Sequence, residues 1–138
     1  MYLEKINSPT DVKKLNIEEM AALAAEMREA LEGLNTAGEF KGQFLILVND
    51  NQMSIAENHG GLYASLKALR ESNGTSENNL FRAMGLDYRY EAAGNDIGAL
   101  IRVLNAVKDL DHLVVLHINT LKGKGYEPAE TRKEEFPL

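Results

Sequence analysis

The sequence predicts an α/β fold, a parallel sheet with flanking helices. Gln43 to Val48 (QFLILV) and Leu113 to Thr120 (LVVLHINT) are continuous apolar runs rich in branched residues. Unbroken rather than alternating apolarity is the pattern of strands covered on both faces in a parallel sheet. Between them, Ile97, Leu100, Ile101, Leu104 and Val107 recur on one helical face. Strand, helix, strand, helix, strand in that order calls for right-handed crossovers between parallel neighbours.

Taken in order, Ser8-Pro9 reads as an N-cap followed by Pro at the first helical position, where a missing N–H costs nothing, and opens a short helix to about Leu15. Asn16 and Glu19 form a capping-box pattern. Ile17, Met20, Ala24, Met27, Leu31 and Leu34 continue it as one amphipathic helix ending near Gly38. After the first strand come Gly60-Gly61 and a helix with Leu62, Leu66 and Leu69 on its apolar face. Glu71 to Asn79 is polar and turn-rich and reads as an exposed loop. Ser76 is placed to cap a helix running to Met84, with Gly85 as its C-cap. Asp87 to Glu91 is a weaker strand, and Asn95 or Asp96 can cap the helix over 97–108. The tail after Tyr126 reads as an exposed end.

The chain has 138 residues, 15 Lys and Arg against 21 Asp and Glu, no Cys and no Trp. A chain of this size can form one core without disulfides. Its net charge of −6 supplies no basic field for phosphodiester backbones or anionic lipid, so neither nucleic acid nor membrane is expected as a partner. No apolar run approaches the roughly 20 residues that span a bilayer, and the first fifteen residues lack the apolar segment of a secretory signal. A cytoplasmic location is the expectation. Without Cys there is no thiol nucleophile and no thiolate metal site.

Ligands of open parallel sheets lie beyond the carboxyl ends of the strands. Two stretches are placed there. Asn49-Asp50-Asn51-Gln52-Met53-Ser54-Ile55 offers amide, carboxylate and carbonyl oxygens suited to a hard cation such as Mg²⁺; it is equally the composition of a polar turn. Lys122-Gly123-Lys124-Gly125-Tyr126 combines close backbone approach, positive charge and an aromatic ring; it is no Walker loop, and an exposed cationic turn has the same residues. His117, inside a strand, reads as a hydrogen-bonded core residue, and His112 as a solvated one beside Asp111. His59 stands within reach of the Asn loop.

In combination, EGLNTAGEFKGQFLILVNDNQMSI, NHGGL, LFRAMGLDYRYEAAGNDIGALIRVLNAVKDLD and LVVLHINTLKGKGYEPAE closely resemble the 1-deoxy-D-xylulose-5-phosphate synthase family, as does the opening LEKINSPTDVKKLNIEEMAALAAEMRE. The family is transketolase-like and uses thiamine diphosphate and Mg²⁺ to condense pyruvate with glyceraldehyde 3-phosphate, releasing carbon dioxide. The resemblance implies that Asn51 ligates Mg²⁺ and contacts the cofactor diphosphate. It implies that Met53 offers its carbonyl to the metal, that Ile55 packs beside the thiazolium, and that Tyr126 contacts thiamine diphosphate. A homodimer is implied as well.

The departures from the family pattern are specific. The Gly-Asp-Gly that precedes the second Asn in the family, and whose Asp is a metal ligand, is replaced by the AALAA window at Ala21–Ala25, and the only Asp before Asp50 is Asp11. Two family segments meet near 27–31, so residues 1–138 read as a single partial diphosphate-side domain. Family order implies two helices of separate origin there, whereas the apolar spacing implies one. The pyrimidine-binding domain and its Glu are missing. Asn95 stands where the family has a substrate-side His, and Pro137 follows Phe136 where another His is expected. The expected function is a fragment of such a synthase, inactive by itself. Another transketolase-like transferase, or a non-catalytic α/β assembly module, is the alternative.

Overall fold

The structure, a computed structural model, describes residues 9–52 and 61–131, with the backbone alone at Pro9 and at 26–31. It comprises two compact units, Met1–Glu39 and Phe40–Leu138.

In the first unit, α1 (Pro9–Val12) begins at Pro9 and is shorter than the spacing predicts. The amides of Lys14 and Leu15 bond back to the Asp11 and Val12 carbonyls, closing the chain into a turn before Asn16. The helix α2 (Ile17–Ala37) has the expected capping box: Asn16 Oδ1 accepts from the Glu19 amide at 2.9 Å, and a Glu19 carboxylate oxygen accepts from the Asn16 amide at 2.9 Å. Two orphan amides of the first turn are thereby satisfied. This helix runs unbroken through 27–31, so one helix stands where family order implies two. Ile17 and Met20 are exposed, and Leu23 is buried.

The second unit is β1 (Phe44–Asp50), α3 (Gly61–Glu71), α4 (Leu80–Ala83), β2 (Asp87–Glu91), α5 (Ile97–Val107), β3 (Leu113–Asn119) and α6 (Glu127–Thr131). The sheet order is β1-β3-β2 and both pairings are parallel, with Val48 and Tyr90 flanking His117 in register and Asp50 opposite Asn119. The strands at Phe44–Asp50 and Leu113–Asn119 are thus parallel neighbours, as the apolar runs predict.

Burial on both faces holds for β3, where every residue from Leu113 to Ile118 is buried, but not for β1. In the β1-β3-β2 order β1 has a neighbour on one side only, and Phe44, Leu45 and Leu47 are exposed. Register sorts the side chains into two layers. Ile46, Val48 and Asp50 share a face with Val115, His117, Tyr88 and Tyr90, and Arg70 of α3 reaches Asp50 there. The opposite face carries Leu45, Leu47, Val114 and Leu116 and meets α5 through Leu104 and Val107 around a groove.

Three local expectations are corrected. The cap of α4 is Asn79, whose Oδ1 accepts from the Phe81 and Arg82 amides at 3.0 and 3.1 Å, because the helix is a single turn starting at Leu80. Ser76 lies outside it, its amide bonded to Ser72 Oγ at 2.8 Å, and the C-cap is Met84 rather than Gly85. The loop over 71–79 is not wholly exposed, since Gly74 and Asn79 are buried. Gly74 has φ +79°, and a Cβ there would stand 2.6 Å from Tyr90 Cβ. Directly beyond Tyr126 the chain turns into α6, with Ala129 buried, and the rest of the expected exposed end, 132–138, lies outside the described residues. Among the described residues no helix is long and apolar enough to cross a membrane.

Candidate functional site

Parallel pairing brings three strand ends together: Asn49-Asp50-Asn51 at the end of β1, Asn119-Thr120-Leu121 at the end of β3 and Ala92-Ala93-Gly94 after β2. They surround a cleft of about 530 Å³ lined by Gln52, Gly94, Asn95, Asn119, Thr120 and Lys124 among others. Its walls are tied to one another. The Thr120 amide donates to the Asp50 carbonyl at 3.0 Å and its hydroxyl to Asn49 Oδ1 at 2.7 Å. The Gly94 amide donates to the Asn119 carbonyl at 2.9 Å, an approach so close that a Cβ on Gly94 would lie 2.5 Å from that oxygen. Asn95 Oδ1 accepts from the Leu121 amide at 2.6 Å, so Asn95 joins two loops. Of the two candidates for capping α5, Asp96 does so, accepting from the Ala99 amide at 2.6 Å.

Beneath this cleft lies a buried polar line that crosses the sheet. Arg70 of α3 donates to Asp50 Oδ2, and His117 Nε2 is 3.1 Å from the same oxygen. Tyr88 Oη is 2.7 Å from His117 Nδ1. His117 is 0% exposed and Asp50 7%. Burial acts to raise the Asp50 carboxyl, but hydrogen bonds from Arg70, the Gln52 amide and His117 outweigh it and hold it below its ordinary value. Burial pushes His117 down, against the pull of Asp50, and pushes the Tyr88 hydroxyl far up. With a carboxylate at Nε2, which can only accept, the neutral imidazole carries its proton there. Its Nδ1 then accepts from the Tyr88 hydroxyl. His117 is therefore the hydrogen-bonded core residue its strand position predicts.

Of the residues singled out by sequence, Asn51 is half-buried at the end of β1, next to the cleft-lining Gln52. Tyr126 is largely exposed, its amide donating to the Gly123 carbonyl at 3.0 Å in the turn that also carries the cleft-lining Lys124. Met53, Ile55 and His59 lie outside the described residues. His112 is not merely solvated: its Nε2 is 3.1 Å from Asp87 and its Nδ1 3.3 Å from Asp111, and bonds to Asp87 first and Asp111 second raise it.

Of the two metal donors that the resemblance implies, Asn51 and Met53, only Asn51 lies within the described residues. Among the described residues no group of three or more His, Cys, Asp or Glu is placed to hold a metal. Asp50, the carboxylate of the Asn-Asp-Asn turn, faces inward to Arg70 and His117, and Asp96 is bound to Ala99. Mg²⁺ dehydrates reluctantly and is ordinarily held by carboxylates together with phosphate oxygens. Composition offers Asp50 as the carboxylate nearest the implied metal donors, and it does not reveal the inward pairing with Arg70 and His117. The signal lay in parity, since Asp50 shares a pleat face with Ile46 and Val48.

Fold and cleft together define a parallel α/β domain of the kind that takes ligands beyond the carboxyl ends of its strands. The family model described as 1-deoxy-D-xylulose-5-phosphate synthase matches residues 29–79. The 1-deoxy-D-xylulose-5-phosphate synthase of Porphyromonas gingivalis is 38% identical over 138 aligned positions, which cover 73% of this chain and 22% of that protein. That of Myxococcus xanthus is 41% identical over 99 positions, covering 72% and 16%, and that of Buchnera aphidicola subsp. Schizaphis graminum 38% over 104, covering 73% and 18%. The chain is a fragment-length relative of the 1-deoxy-D-xylulose-5-phosphate synthases, spanning about a fifth of the length of the curated relatives it matches.

Proposed function

We propose that this chain is part of a thiamine diphosphate-dependent transferase of aldehyde and ketone groups. The parent protein condenses pyruvate with glyceraldehyde 3-phosphate to 1-deoxy-D-xylulose 5-phosphate for isoprenoid and thiamine precursors, acting as a cytoplasmic homodimer. The observation that carries this reading is the shared sequence over nearly three quarters of the chain. On this reading residues 1–138 are one partial diphosphate-side domain whose two family segments meet near 27–31, and the start of the family match at residue 29 supports that junction. Asn51, Ile55 and Tyr126 are the cofactor-side residues, and Asn51 and Met53 the remaining metal donors.

When bound, the cofactor supplies a stabilised carbanion. This chain's own residues provide a cleft lined by Lys124 among others and tied strand ends, with Asn51 adjoining the cleft-lining Gln52. A metal carboxylate is missing from that set, and we infer that the chain alone is inactive. Calorimetry of the 138-residue chain with Mg²⁺ alone should show millimolar or weaker affinity, roughly 4 kcal/mol or less of binding free energy. A micromolar isotherm lost on Asn51→Ala defeats this reading. Intact mass and the sequence of the encoding gene test the junction. A non-catalytic assembly role is the second reading, favoured by the apolar surface that Leu45, Leu47, Ile97 and Ile101 expose.

A further inference from the structure

The geometry points to Asp50 as a positioning residue: the buried line Arg70–Asp50–His117–Tyr88 holds the Asn51-Gln52 turn at the mouth of the cleft and does not lend its carboxylate to a cation. Each carboxylate oxygen has its own task. Oδ2 takes Arg70 and His117, anchoring the side chain to α3 and β3, while Oδ1 accepts from the Gln52 amide at 3.0 Å. That last bond closes a turn in which Gln52 has φ +65°, a conformation that a residue with a side chain enters only when something holds it there. Gln52 then reaches across the cleft, its Nε2 3.4 Å from Asn119 Oδ1, and the Asp50 carbonyl takes the Thr120 amide.

Charge-assisted bonds in a buried site are the strong ones, and with the Tyr88 hydroxyl at Nδ1 the neutral imidazole of His117 presents its Nε2 proton to Asp50 Oδ2. The lock thus passes from Tyr88, on the far strand, through the central strand to the edge strand. It sets where Asn51 stands. The inference rests on the proposed reading only in taking the cleft as the ligand face.

The test is amide hydrogen exchange on the ¹⁵N-labelled full chain, comparing Gln52 and Leu121 at the cleft with Val115 in the middle of β3. Arg70→Gln removes the anchor without altering a cleft-lining residue. It should lower protection at Gln52 at least tenfold while Val115 falls less than threefold, and Arg70→Lys should restore most of it. Equal loss at Gln52 and Val115 means a purely structural ion pair and overturns the proposal, as does no change at Gln52. If Arg70→Gln does not fold, Tyr88→Phe, which deletes one hydroxyl two links from the turn, should still speed exchange at Gln52 about threefold; an unchanged rate overturns the proposal.

Mg²⁺ alone, added to the wild type and to Asp50→Asn, provides the other arm. Equal weak affinity is expected, whereas a tenfold loss in the variant makes Asp50 a ligand and sinks the inference. Adding thiamine diphosphate with Mg²⁺ separates the two readings: no shift of cleft amides in the wild type counts against the thiamine diphosphate assignment and leaves the lock to the exchange result.

Discussion

At the residue scale, four side chains share one buried problem. A carboxylate that leaves water loses several kcal/mol of hydration, and only full pairing offsets it. Asp50 meets Arg70, His117 and the Gln52 amide. Asp50→Ala leaves the guanidinium and the imidazole without their acceptor and should destabilise the second unit by about 3 kcal/mol, read from urea midpoints at constant m.

The same pairing sets an acid limit. Since His117 is held below 6.5 in the folded chain, the unfolded chain takes up its proton first. The contribution of His117 is complete above pH 6.5 and is lost as pH falls towards the lowered native value. Asp50 adds a second loss below 3.8, in the same direction. His112, raised by Asp87 and Asp111, has the opposite sign: its contribution is present below 6.5 and disappears as pH rises through its raised value. Urea midpoints collected from pH 4 to 8 should therefore fall on the acid side, and His117→Gln should flatten that fall while His112→Gln alters only the slope above 6.5.

At the scale of elements, β1 and β3 have nearly the same composition and opposite fates. Both were legible as strands, and their parallel pairing follows from the helices between them. Which one lies in the centre was not legible, because it depends on the crossover from β1 to β2 passing over the place that β3 later fills. The consequence is an edge strand with Leu47 54% exposed, a surface that invites pairing with another chain. Leu47→Lys should lower concentration-dependent association in sedimentation velocity while changing stability by less than about 0.5 kcal/mol. The polar tract before α4 has the reverse character. It reads as a solvated loop, yet Gly74 packs under Tyr90. Gly74→Ala combines positive φ with a 2.6 Å contact to Tyr90 Cβ and should cost about 1–3 kcal/mol in urea unfolding.

For the molecule as a whole, the sequence alone determined the parallel α/β class, the capping box of α2, the position of the two strong strands and the kinship with 1-deoxy-D-xylulose-5-phosphate synthases. Each rests on local chemistry or on residue order: apolar period, cap spacing, and motifs such as NDNQMSI and KGKGYEPAE. Tertiary structure alone decided what those motifs do here. Asn95 proves to be a loop tie to Leu121. Asp50 proves to be an inward anchor, and its partners Arg70 and His117 stand 20 and 67 positions further along the chain. The physical reason is that a side chain's task is set by the charges and donors that surround it. In a parallel sheet those arrive from strands and helices far apart in sequence, brought into contact by register and by the alternation of the pleat.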